Sequence, residues 1–434
     1  MRLMASEVAQ AVNGRLVGPD VELSGTSIDS RTMAQGELFV AVVAERNGHD
    51  FIDDALAAGA AAYLTAEAPR GATAIAVDDT SAALAELGRH ARDRFDGPVV
   101  GITGSVGKTS VKDMAAAAIG TDRSTHASPM SFNNELGVPL TLVDCPNEAE
   151  AVVVEMGARG TGHIAWLCSL ARPTVGVVTA VGAAHTELFG TVEAVAEAKG
   201  ELVESLDASG VAVLNADQPL VAAMARRTEA EVLTFGRAGG EVRASGVSLD
   251  DGLCPAFRLE TPNGQADVVL AACGEHMVDN ALAAAAAALA VGVGVDEIAA
   301  GLGSAQLSPW RMEVTELASG SILINDAYNA NPMSMAAGLR SLAALDRRRR
   351  VAVLGMMAEL GDRTAAEHAA IGALARELGI EVIPVATSAY GLAPVEDVAA
   401  AVAALGAVDG DTAVLVKASR AAGLEAVAAA LSEL

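Results

Sequence analysis

The chain has 434 residues, a formal net charge of −26 at pH 7 and a hydrophobic fraction of 52%. This length exceeds what one ordinary hydrophobic core occupies, so several domains are expected. The negative charge argues against general binding to nucleic acid or to an anionic membrane, because both require a cationic surface. A small anionic ligand is still compatible with it, provided that local cations bind that ligand.

The apolar and cysteine patterns predict a cytoplasmic protein without membrane insertion. The longest run of apolar residues and glycine, residues 281–295, has 15 residues and is shorter than the roughly 20 that span a bilayer. The amino terminus has no apolar segment of signal-peptide length. The four cysteines are far apart in the sequence, so we predict neither a zinc knuckle nor a disulfide framework.

Residues 1–97 form the first predicted domain, a small α/β unit. Helices are expected near residues 6–12, 52–58 and 80–95, and short strands at residues 38–43 and 74–77. The break at Asp96-Gly-Pro98 ends this domain.

Residues 98–310 form a central domain in which buried strands alternate with helices. After a first strand and the helix at 110–119, strands are predicted at 151–155, 175–179, 211–215 and 232–235. Polar, glycine-rich strands follow to about residue 272, then an alanine-rich helix from residue 277 and a short helix at 295–301. This pattern predicts a mostly parallel sheet covered by helices on both faces.

Residues 311–434 repeat the alternation and form a third, Rossmann-like unit. Its strands are predicted at residues 322–326, 351–354, 381–384 and 413–417. The basic run at 347–350 is interpreted as a solvated turn before a strand. The predicted fold class is therefore α/β, with three domains.

The segment Gly101-Ile-Thr-Gly-Ser-Val-Gly-Lys-Thr109 joins the first central strand to its helix and predicts a phosphate cradle. Small residues let successive N–H groups turn toward phosphate oxygens at the helix N-terminus, Lys108 adds a cation, and the Thr109 hydroxyl can bind Mg²⁺. The spacing departs from the usual P-loop, which has glycine where this chain has Ile102. ATP or GTP is the expected ligand. The residues assigned to nucleotide binding here are Thr103, Gly104, Ser105, Val106, Gly107, Lys108, Thr109 and Ser110.

Three further residues are candidates for metal chemistry. Glu155 ends a buried strand, and ligands collect at the carboxyl ends of strands in such sheets, so it is the best metal ligand. His185 follows the next strand and is either a metal ligand or a structural histidine. Lys199 lies on a helix between Glu197 and Glu201, where an exposed, ion-paired lysine is the simple alternative to a functional one.

Two loops rich in asparagine come from different domains. Asn133 and Asn134 lie in the first, and Tyr328, Asn329 and Asn331 in the second. Side-chain amides can recognise carbonyl, hydroxyl and peptide groups without adding charge. Asparagine is also common in plain turns, so both interpretations stay open.

Taken in order, these motifs resemble the ATP-dependent Mur ligases of bacterial cell-wall synthesis, and the resemblance covers nearly the whole chain. It accounts for the unusual spacing of the phosphate loop. It implies two Mg²⁺ ions, with Thr109, Glu155 and His185 as ligands and with Lys199 carbamylated so that a cation becomes an anion that orients the metal. An acid-rich neighbourhood around Lys199 is expected to accompany this change.

The resemblance also implies roles in substrate binding. Asn280 and Arg311 match residues that contact adenine and phosphate, and Asp326 belongs with Asn329 to a signature that continues to Pro332. The segments around residues 28–31, 36–41 and 46–49 are similar to the uridine-nucleotide pocket of the family. The residues that the resemblance assigns to substrate are Ser30, Arg31, Arg46, His49, Asn133, Asn134, Tyr328, Asn331, Glu359 and His368.

Within the family, the Tyr-Asn-Ala-Asn-Pro signature and the segment from Leu354 to His368 favour a member that adds a dipeptide. The implied substrates are UDP-N-acetylmuramoyl-tripeptide and D-alanyl-D-alanine, joined through an acyl phosphate by a monomer. The alternatives are a ligase that adds one amino acid, a folylpolyglutamate synthase, or a nucleotide-binding regulatory module. Trp310 and Ala418 stand where the family usually has glycine, which makes the hinge and the placement of Lys417 and Arg420 less secure.

Overall fold

The structure is a computed structural model, and it describes residues 3–183 and 186–433. It has the predicted α/β architecture, with a separate mostly parallel sheet in each of three successive parts of the chain. Among the described residues, no helix is long and apolar enough to cross a membrane.

The first part of the chain forms a five-stranded sheet beside a two-stranded one. Its strands are β1 (Leu3–Met4), β2 (Arg15–Val17), β3 (Glu22–Leu23), β4 (Thr26–Ser27), β5 (Leu38–Val40), β6 (Ala62–Thr65) and β7 (Thr73–Ala76), and its helices are α1 (Ala5–Ala11), α2 (Ile52–Ala58) and α3 (Thr80–Asp93). The larger sheet has the order β2-β7-β6-β5-β4, and β2 alone runs antiparallel to its neighbour. The three predicted helices are confirmed, whereas β6 was missed because its fully buried residues continue an alanine-rich run.

The central part has a six-stranded sheet in which every strand pair is parallel. Its strands are β8 (Val99–Thr103), β9 (Thr125–Ala127), β10 (Ala151–Glu155), β11 (Val175–Val178), β12 (Val211–Asn215) and β13 (Glu231–Phe235), and its helices are α4 (Lys108–Ile119), α5 (Gly137–Val143), α6 (His163–Ala171), α7 (Thr186–Phe189), α8 (Val192–Glu204), α9 (Pro219–Ala222), α10 (Met277–Ala290) and α11 (Val295–Ser304). The order β13-β12-β11-β8-β10-β9 places the first strand in the interior of the sheet. The loops after β8, β10 and β11 therefore lie side by side at one edge.

Successive residues of β8 face two different hydrophobic cores. Val100 and Ile102 pack with α4 and the alanine-rich α10, whereas Val99 packs on the opposite face with α3, α5 and α6. The alanines at 283–288 are all buried, and their small side chains let α10 approach α4 closely. This packing holds the start of α4, and with it the phosphate loop, against a rigid support.

A small antiparallel sheet follows, formed by β14 (Arg243–Leu249), β15 (Pro255–Thr261) and β16 (Gly264–Val269). It brings Cys254 and Cys273 together, with their sulfurs 3.6 Å apart and not bonded. Burial and the neighbouring Cys254 raise the pKa of Cys273 to about 12, so this thiol stays protonated near neutral pH. Spacing in the sequence had given no sign of this pair.

The C-terminal part forms a five-stranded sheet of order β17-β18-β21-β19-β20, with β17 as its antiparallel edge. Its strands are β17 (Glu313–Glu316), β18 (Ile322–Asn325), β19 (Arg349–Leu354), β20 (Glu381–Pro384) and β21 (Thr412–Lys417), and its helices are α12 (Pro332–Ala344), α13 (Thr364–Glu377), α14 (Val398–Leu405) and α15 (Glu425–Ser432). The basic run at 347–350 is only partly a turn, since Arg349 and Arg350 belong to β19. Strand pairing and ion pairs such as Arg348 with Asp411 fix this run in the sheet.

Ala418, which replaces a usual glycine, is accommodated by a glycine elsewhere. Its side chain is buried after β21, and a Cβ on Gly355 would lie 2.7 Å from the Ala418 Cβ. Glycine at 355 makes the room that alanine at 418 needs. Lys417 consequently keeps its buried position at the end of β21.

We expect Gly355→Ala to lower the free energy of unfolding by about 1–3 kcal/mol, the usual cost of overpacking. The cost is steric, because Gly355 does not have a positive φ and its backbone conformation is open to alanine. Urea denaturation of the single variant and of the Gly355→Ala, Ala418→Gly double variant measures it. Ala418→Gly should restore most of the lost free energy of unfolding. A double variant as unstable as the single one would contradict the explanation.

Candidate active site

The loop between β8 and α4 has the backbone that a phosphate cradle requires. Gly104 and Gly107 have φ values of +154° and +82°, which L side chains rarely adopt. A Cβ on Gly104 would lie 1.9 Å from Thr179 Oγ1, and one on Gly107 would lie 2.3 Å from Asn280 Oδ1. Lys108 donates a hydrogen bond from Nζ to the Gly104 carbonyl at 2.9 Å, so its ammonium lies over the loop.

A cavity of about 640 Å³ opens beside this loop and extends to the C-terminal domain. It brings together most of the residues that the sequence assigned to nucleotide and substrate. The predicted residues that line it are Ser105, Val106, Gly107, Lys108, Thr109, Ser110, Asn133, Asn134, Glu155, Asn280, Arg311, Asp326, Tyr328, Asn329, Asn331 and Glu359. The predicted residues outside its lining are Thr103, Gly104, Ser30, Arg31, Arg46, His49, Lys199 and His368. His185 lies outside the described residues.

Glu155 presents a carboxylate oxygen that fits a cation. The residue is 1% exposed at the end of β10, and its Oε1 accepts a hydrogen bond from Asn133 Nδ2 at 2.6 Å. Its buried Oε2 has no hydrogen-bond partner among the described residues. A buried carboxylate oxygen left without a partner costs free energy, and a hard cation such as Mg²⁺ is a suitable partner for it.

Lys199 is 1% exposed, which excludes the simple interpretation of a solvated lysine. Burial lowers the pKa of its ammonium well below the usual value, and the positive charge of Lys108 lowers it further. The expected acid-rich neighbourhood is wrong, since Glu197 pairs with Arg227 and Glu201 accepts backbone N–H groups at the start of α6. Burial therefore favours the neutral amine of Lys199 over the ammonium.

Arg311 connects the C-terminal domain to the phosphate loop. Its Nη2 donates to Thr109 Oγ1 at 2.9 Å, and its guanidinium carbon lies 4.1 Å from the centre of the Tyr328 ring. The Tyr328 hydroxyl is in turn hydrogen bonded to Ser131 in the central domain. Asn331, which caps α12, donates from Nδ2 to the Ser105 carbonyl at 3.3 Å. The two domains thus meet across the phosphate loop.

Asp326 is held in place at the end of β18 by two partners. Lys417 donates to its Oδ2 at 2.5 Å, and the Met312 N–H donates to its Oδ1 at 3.2 Å. Lys417 also donates to the Asn329 carbonyl at 3.0 Å. The ion pair between Asp326 and Lys417 therefore holds the loop at residues 326–332 beside the segment that contains Arg311.

The two histidines predicted to contact substrate have internal roles in this structure. His49 is 2% exposed, with Nδ1 bonded to Asn47 Oδ1 and Nε2 accepting from the Ala66 N–H. His368 is fully buried, so both rings shape loops and leave no nitrogen for a ligand. The other predicted residues of the first domain are accessible: Ser30 is half-buried, Arg31 pairs with Asp29, and Arg46 lies over the Phe51 ring.

His368 holds the loop that contains Glu359. Its Nδ1–H donates to the Thr364 carbonyl at 2.7 Å, and its Nε2 accepts from the Met357 N–H at 2.9 Å. The ring must be neutral to accept this second bond. Burial accordingly lowers the pKa of His368 below 6.5.

We expect the free energy of unfolding to fall as the pH drops below about 6.5, by up to about 1.4 kcal/mol per pH unit for each such histidine. The sign follows because the unfolded chain binds the proton at the ordinary pKa, whereas the folded chain binds it only at lower pH. Burial lowers the pKa of His126 and His276 in the same way. Urea denaturation at pH 7.5 and 5.5 measures the effect. The His368→Gln variant should show a smaller pH dependence, and an unchanged slope would contradict this assignment.

Several residues of the cavity were missed in the sequence. Asn215 and Phe235 end β12 and β13 and line it, as do His276 and Asp279 near the start of α10. Burial raises the pKa of Asp279 to about 6. The strand-end argument that found Glu155 would also have found Asn215 and Phe235, whereas a histidine or aspartate near a helix start carries no such signal.

Comparisons with known proteins agree with this geometry. Models of the Mur ligase family catalytic domain, the Mur ligase middle domain and the Mur ligase glutamate ligase domain match residues 22–92, 102–288 and 310–433. The UDP-N-acetylmuramoyl-tripeptide–D-alanyl-D-alanine ligase of Mycobacterium tuberculosis strain H37Rv is 39% identical over 99% of this chain and 98% of its own.

Solved structures show the same similarity. A crystal structure of MurF from Acinetobacter baumannii is 30% identical, with a TM-score of 0.89 over 100% of this chain and 99% of its own. MurF ligase from Thermotoga maritima in complex with ADP is 30% identical, with a TM-score of 0.83 over 94% and 97% of the two chains. The chain therefore belongs to the Mur ligase family.

Proposed function

We propose that this protein is an ATP-dependent ligase that joins D-alanyl-D-alanine to UDP-N-acetylmuramoyl-tripeptide, with release of ADP and phosphate. The observation that carries the proposal is the single cavity in which the phosphate loop, the orphaned Glu155 oxygen and the Tyr328 to Asn331 signature meet. The names of its full-length relatives supply the identity of the two substrates.

The nucleotide is proposed to bind at the phosphate loop. Backbone N–H groups from residues 104–110 would contact the phosphates, and the positive end of α4 favours their negative charge. Asn280 lies against Gly107, and Arg311 lies against Thr109, which supports the proposal that both contact ATP. Asp326 and Asn329 complete the proposed set from the C-terminal side, where Lys417 orients them.

Two Mg²⁺ ions are part of the proposal. Thr109 and Glu155 would hold the first ion together with ATP oxygens, and His185 and carbamylated Lys199 the second. When bound, these ions would neutralise the negative charge of the phosphates and of the reacting carboxylate. The partnerless oxygen of Glu155 and the lowered pKa of the buried Lys199 support the assignment.

The reaction would proceed in two covalent steps. The tripeptide carboxylate attacks the γ-phosphorus of ATP, so that ADP leaves and an acyl phosphate forms. The free amine of D-alanyl-D-alanine then attacks the acyl carbon, loses a proton, and expels phosphate from a tetrahedral intermediate. Lys108 would stabilise charge on the transferring phosphoryl group in the first step.

The contacts between domains would keep water away from the acyl phosphate. Asn331 donates to the phosphate loop, and the Thr186 hydroxyl of the central domain donates to the Leu360 carbonyl of the C-terminal domain at 3.2 Å. Such closure limits hydrolysis of a reactive intermediate. Substrate entry would then require the domains to separate.

The tripeptide substrate is proposed to extend from the first domain to this cavity. The residues in contact would be Ser30, Arg31, Arg46, Asn133, Asn134, Tyr328, Asn331 and Glu359, with His49 and His368 acting through their loops. The domain limits 1–97, 98–310 and 311–434, a monomeric state and a cytoplasmic location are further parts of the proposal.

Release of ADP tests the proposed function. With Mg·ATP and UDP-N-acetylmuramoyl-tripeptide present, D-alanyl-D-alanine should stimulate ADP formation far more than D-alanine, L-lysine, diaminopimelate or glutamate does. Faster release with one of the single amino acids would instead identify a ligase of that kind or a folylpolyglutamate synthase. Binding of ATP without any turnover that depends on an amine would identify a regulatory module.

A further inference from the structure

Arg420 is an exposed cation on the C-terminal side of the cavity. It follows β21 and lines the cavity, and 51% of its side chain is exposed. Its guanidinium forms an ion pair with Glu425 and lies over the ring of Trp310, 4.5 Å from the ring centre. Nothing in the proposed phosphoryl transfer uses this residue.

In the part of the chain that the structure describes, the two other C-terminal cations that line the cavity are bonded within the protein, as Arg420 is to Glu425, but they are less exposed. Lys417 is buried and donates to Asp326 and to the Asn329 carbonyl. Arg311 donates to Thr109 and stacks on Tyr328. Among the described C-terminal residues that line the cavity, Arg420 is therefore the cation best exposed to a second substrate.

Trp310 holds Arg420 at a conformational cost. Its φ is +61°, in the left-handed region that a bulky residue rarely adopts. Its ring contacts the guanidinium of Arg420, and the centre of the Tyr328 ring lies 6.5 Å from its own. A cation over an indole face is attracted to it, and this attraction offsets part of the strain.

We propose that Arg420, positioned by Trp310, binds the terminal carboxylate of the incoming D-alanyl-D-alanine, an inference that rests on the proposed function. The cavity wall has charges that match a dipeptide zwitterion. Glu359 lines the same cavity as Lys108 of the phosphate loop, and its negative charge opposes the lowering of the Lys108 pKa by burial. Arg420 provides the opposite charge for the far end of the dipeptide. An arginine guanidinium can donate two parallel hydrogen bonds to a carboxylate.

The test removes each partner of this ion pair separately. D-Alanyl-D-alaninamide lacks the carboxylate, and Arg420→Ala lacks the guanidinium. Wild-type enzyme should lose about 10- to 100-fold in kcat/KM when the amide replaces the acid. Arg420→Ala should show the same loss with the acid and little further loss with the amide, while the KM values for ATP and for the tripeptide stay near normal.

Trp310 is tested by a pair of variants that suit its backbone. Trp310→Gly tolerates the positive φ but removes the ring, so it should raise the KM for D-alanyl-D-alanine about two- to five-fold with little change in kcat. Trp310→Phe keeps an aromatic face and should recover part of this loss. Equal effects of both variants on all three substrates would reveal a merely structural role and overturn the positioning argument.

The outcomes separate this inference from the proposed function. If Arg420→Ala discriminates between acid and amide as strongly as wild type does, the carboxylate binds elsewhere and the inference is wrong. A raised KM for ATP or for the tripeptide instead of the dipeptide would overturn it too. A wild-type enzyme that releases no ADP with D-alanyl-D-alanine would overturn the proposed function itself, and this inference with it.

Discussion

Replacing Lys108 with methionine is expected to lower kcat by about 10²- to 10³-fold, the usual cost of removing one preorganised charge donor, or roughly 3–4 kcal/mol. Lys108 begins α4 and its ammonium lies over the phosphate loop, bonded to the Gly104 carbonyl. When ATP binds, its phosphate oxygens would replace the Gly104 carbonyl as a hydrogen-bond acceptor for the Lys108 ammonium. Their charge increases on transfer, so the loss should appear in kcat more than in the KM for ATP.

Stability and catalysis should respond differently to this change. Burial lowers the pKa of Lys108, with only partial opposition from the charges of Glu155 and Glu359. The folded protein therefore gains little from the ammonium, and Lys108→Met should melt within a few degrees of wild type. ADP release and thermal denaturation of the same preparations measure both effects. Near-normal ADP production by the variant would reject the role of Lys108, and a large loss of stability would make the kinetic result uninformative.

The parts of the site that follow from local sequence were predictable. The strands β10 (Ala151–Glu155) and β12 (Val211–Asn215) have the predicted limits, because short apolar runs in this alternating pattern form buried parallel strands. The rule that ligands collect at strand ends then placed Glu155 beside the phosphate loop. The glycines at 104 and 107 were predicted from the local sequence to belong to a phosphate loop. The structure shows that a Cβ at these positions would collide with Thr179 and Asn280.

The parts that depend on long-range packing were not predictable. Arg311 meets Thr109 across 202 positions of sequence, and Ser131 meets Tyr328 across 197. The burial of Lys199 could not be predicted either, because Glu197 and Glu201 on the same helix suggest an exposed face. In the structure Glu197 pairs with Arg227, and Glu201 accepts a backbone N–H at the start of α6.

Two histidines that were predicted to contact substrate are instead bonded within the protein. His49 and His368 lie in segments that resemble binding motifs, yet each ring is bonded on both sides within its own domain. A motif indicates that a loop matters, but it does not tell which residues touch the ligand and which support the loop. Ala418 is a further case, since its tolerance depends on Gly355, 63 positions earlier in the sequence.

Carbamylation of Lys199 is the second change with a large expected effect. A neutral amine can add to CO₂ and release a proton, which leaves a carbamate anion on Nζ. Burial and the charge of Lys108 both favour the neutral amine of Lys199. We expect ¹³C-bicarbonate to give a carbamate signal in the NMR spectrum of the wild-type protein, and Lys199→Met to lack it.

The other buried lysines are internal controls for this experiment. Lys112 donates to the carbonyls of Ser128 and Met130, and Lys417 donates to Asp326 and Asn329. Both nitrogens are held by these oxygens and are not free to approach CO₂. Lys199 has no such acceptor among the described residues, so a signal that persists in Lys199→Met would contradict the assignment.

Activity provides the independent measurement. If the carbamate orients a metal ion, Lys199→Met should lower kcat by about 100-fold, the upper range for a group that supports a metal site. The variant should fold normally, because an uncharged chain of similar length replaces a buried amine without partners among the described residues. CO₂-depleted buffer should reduce the activity of wild type, and bicarbonate should restore it, whereas Lys199→Met should respond to neither. Full wild-type activity without CO₂ would leave Lys199 as a neutral amine and require another group to orient the metal.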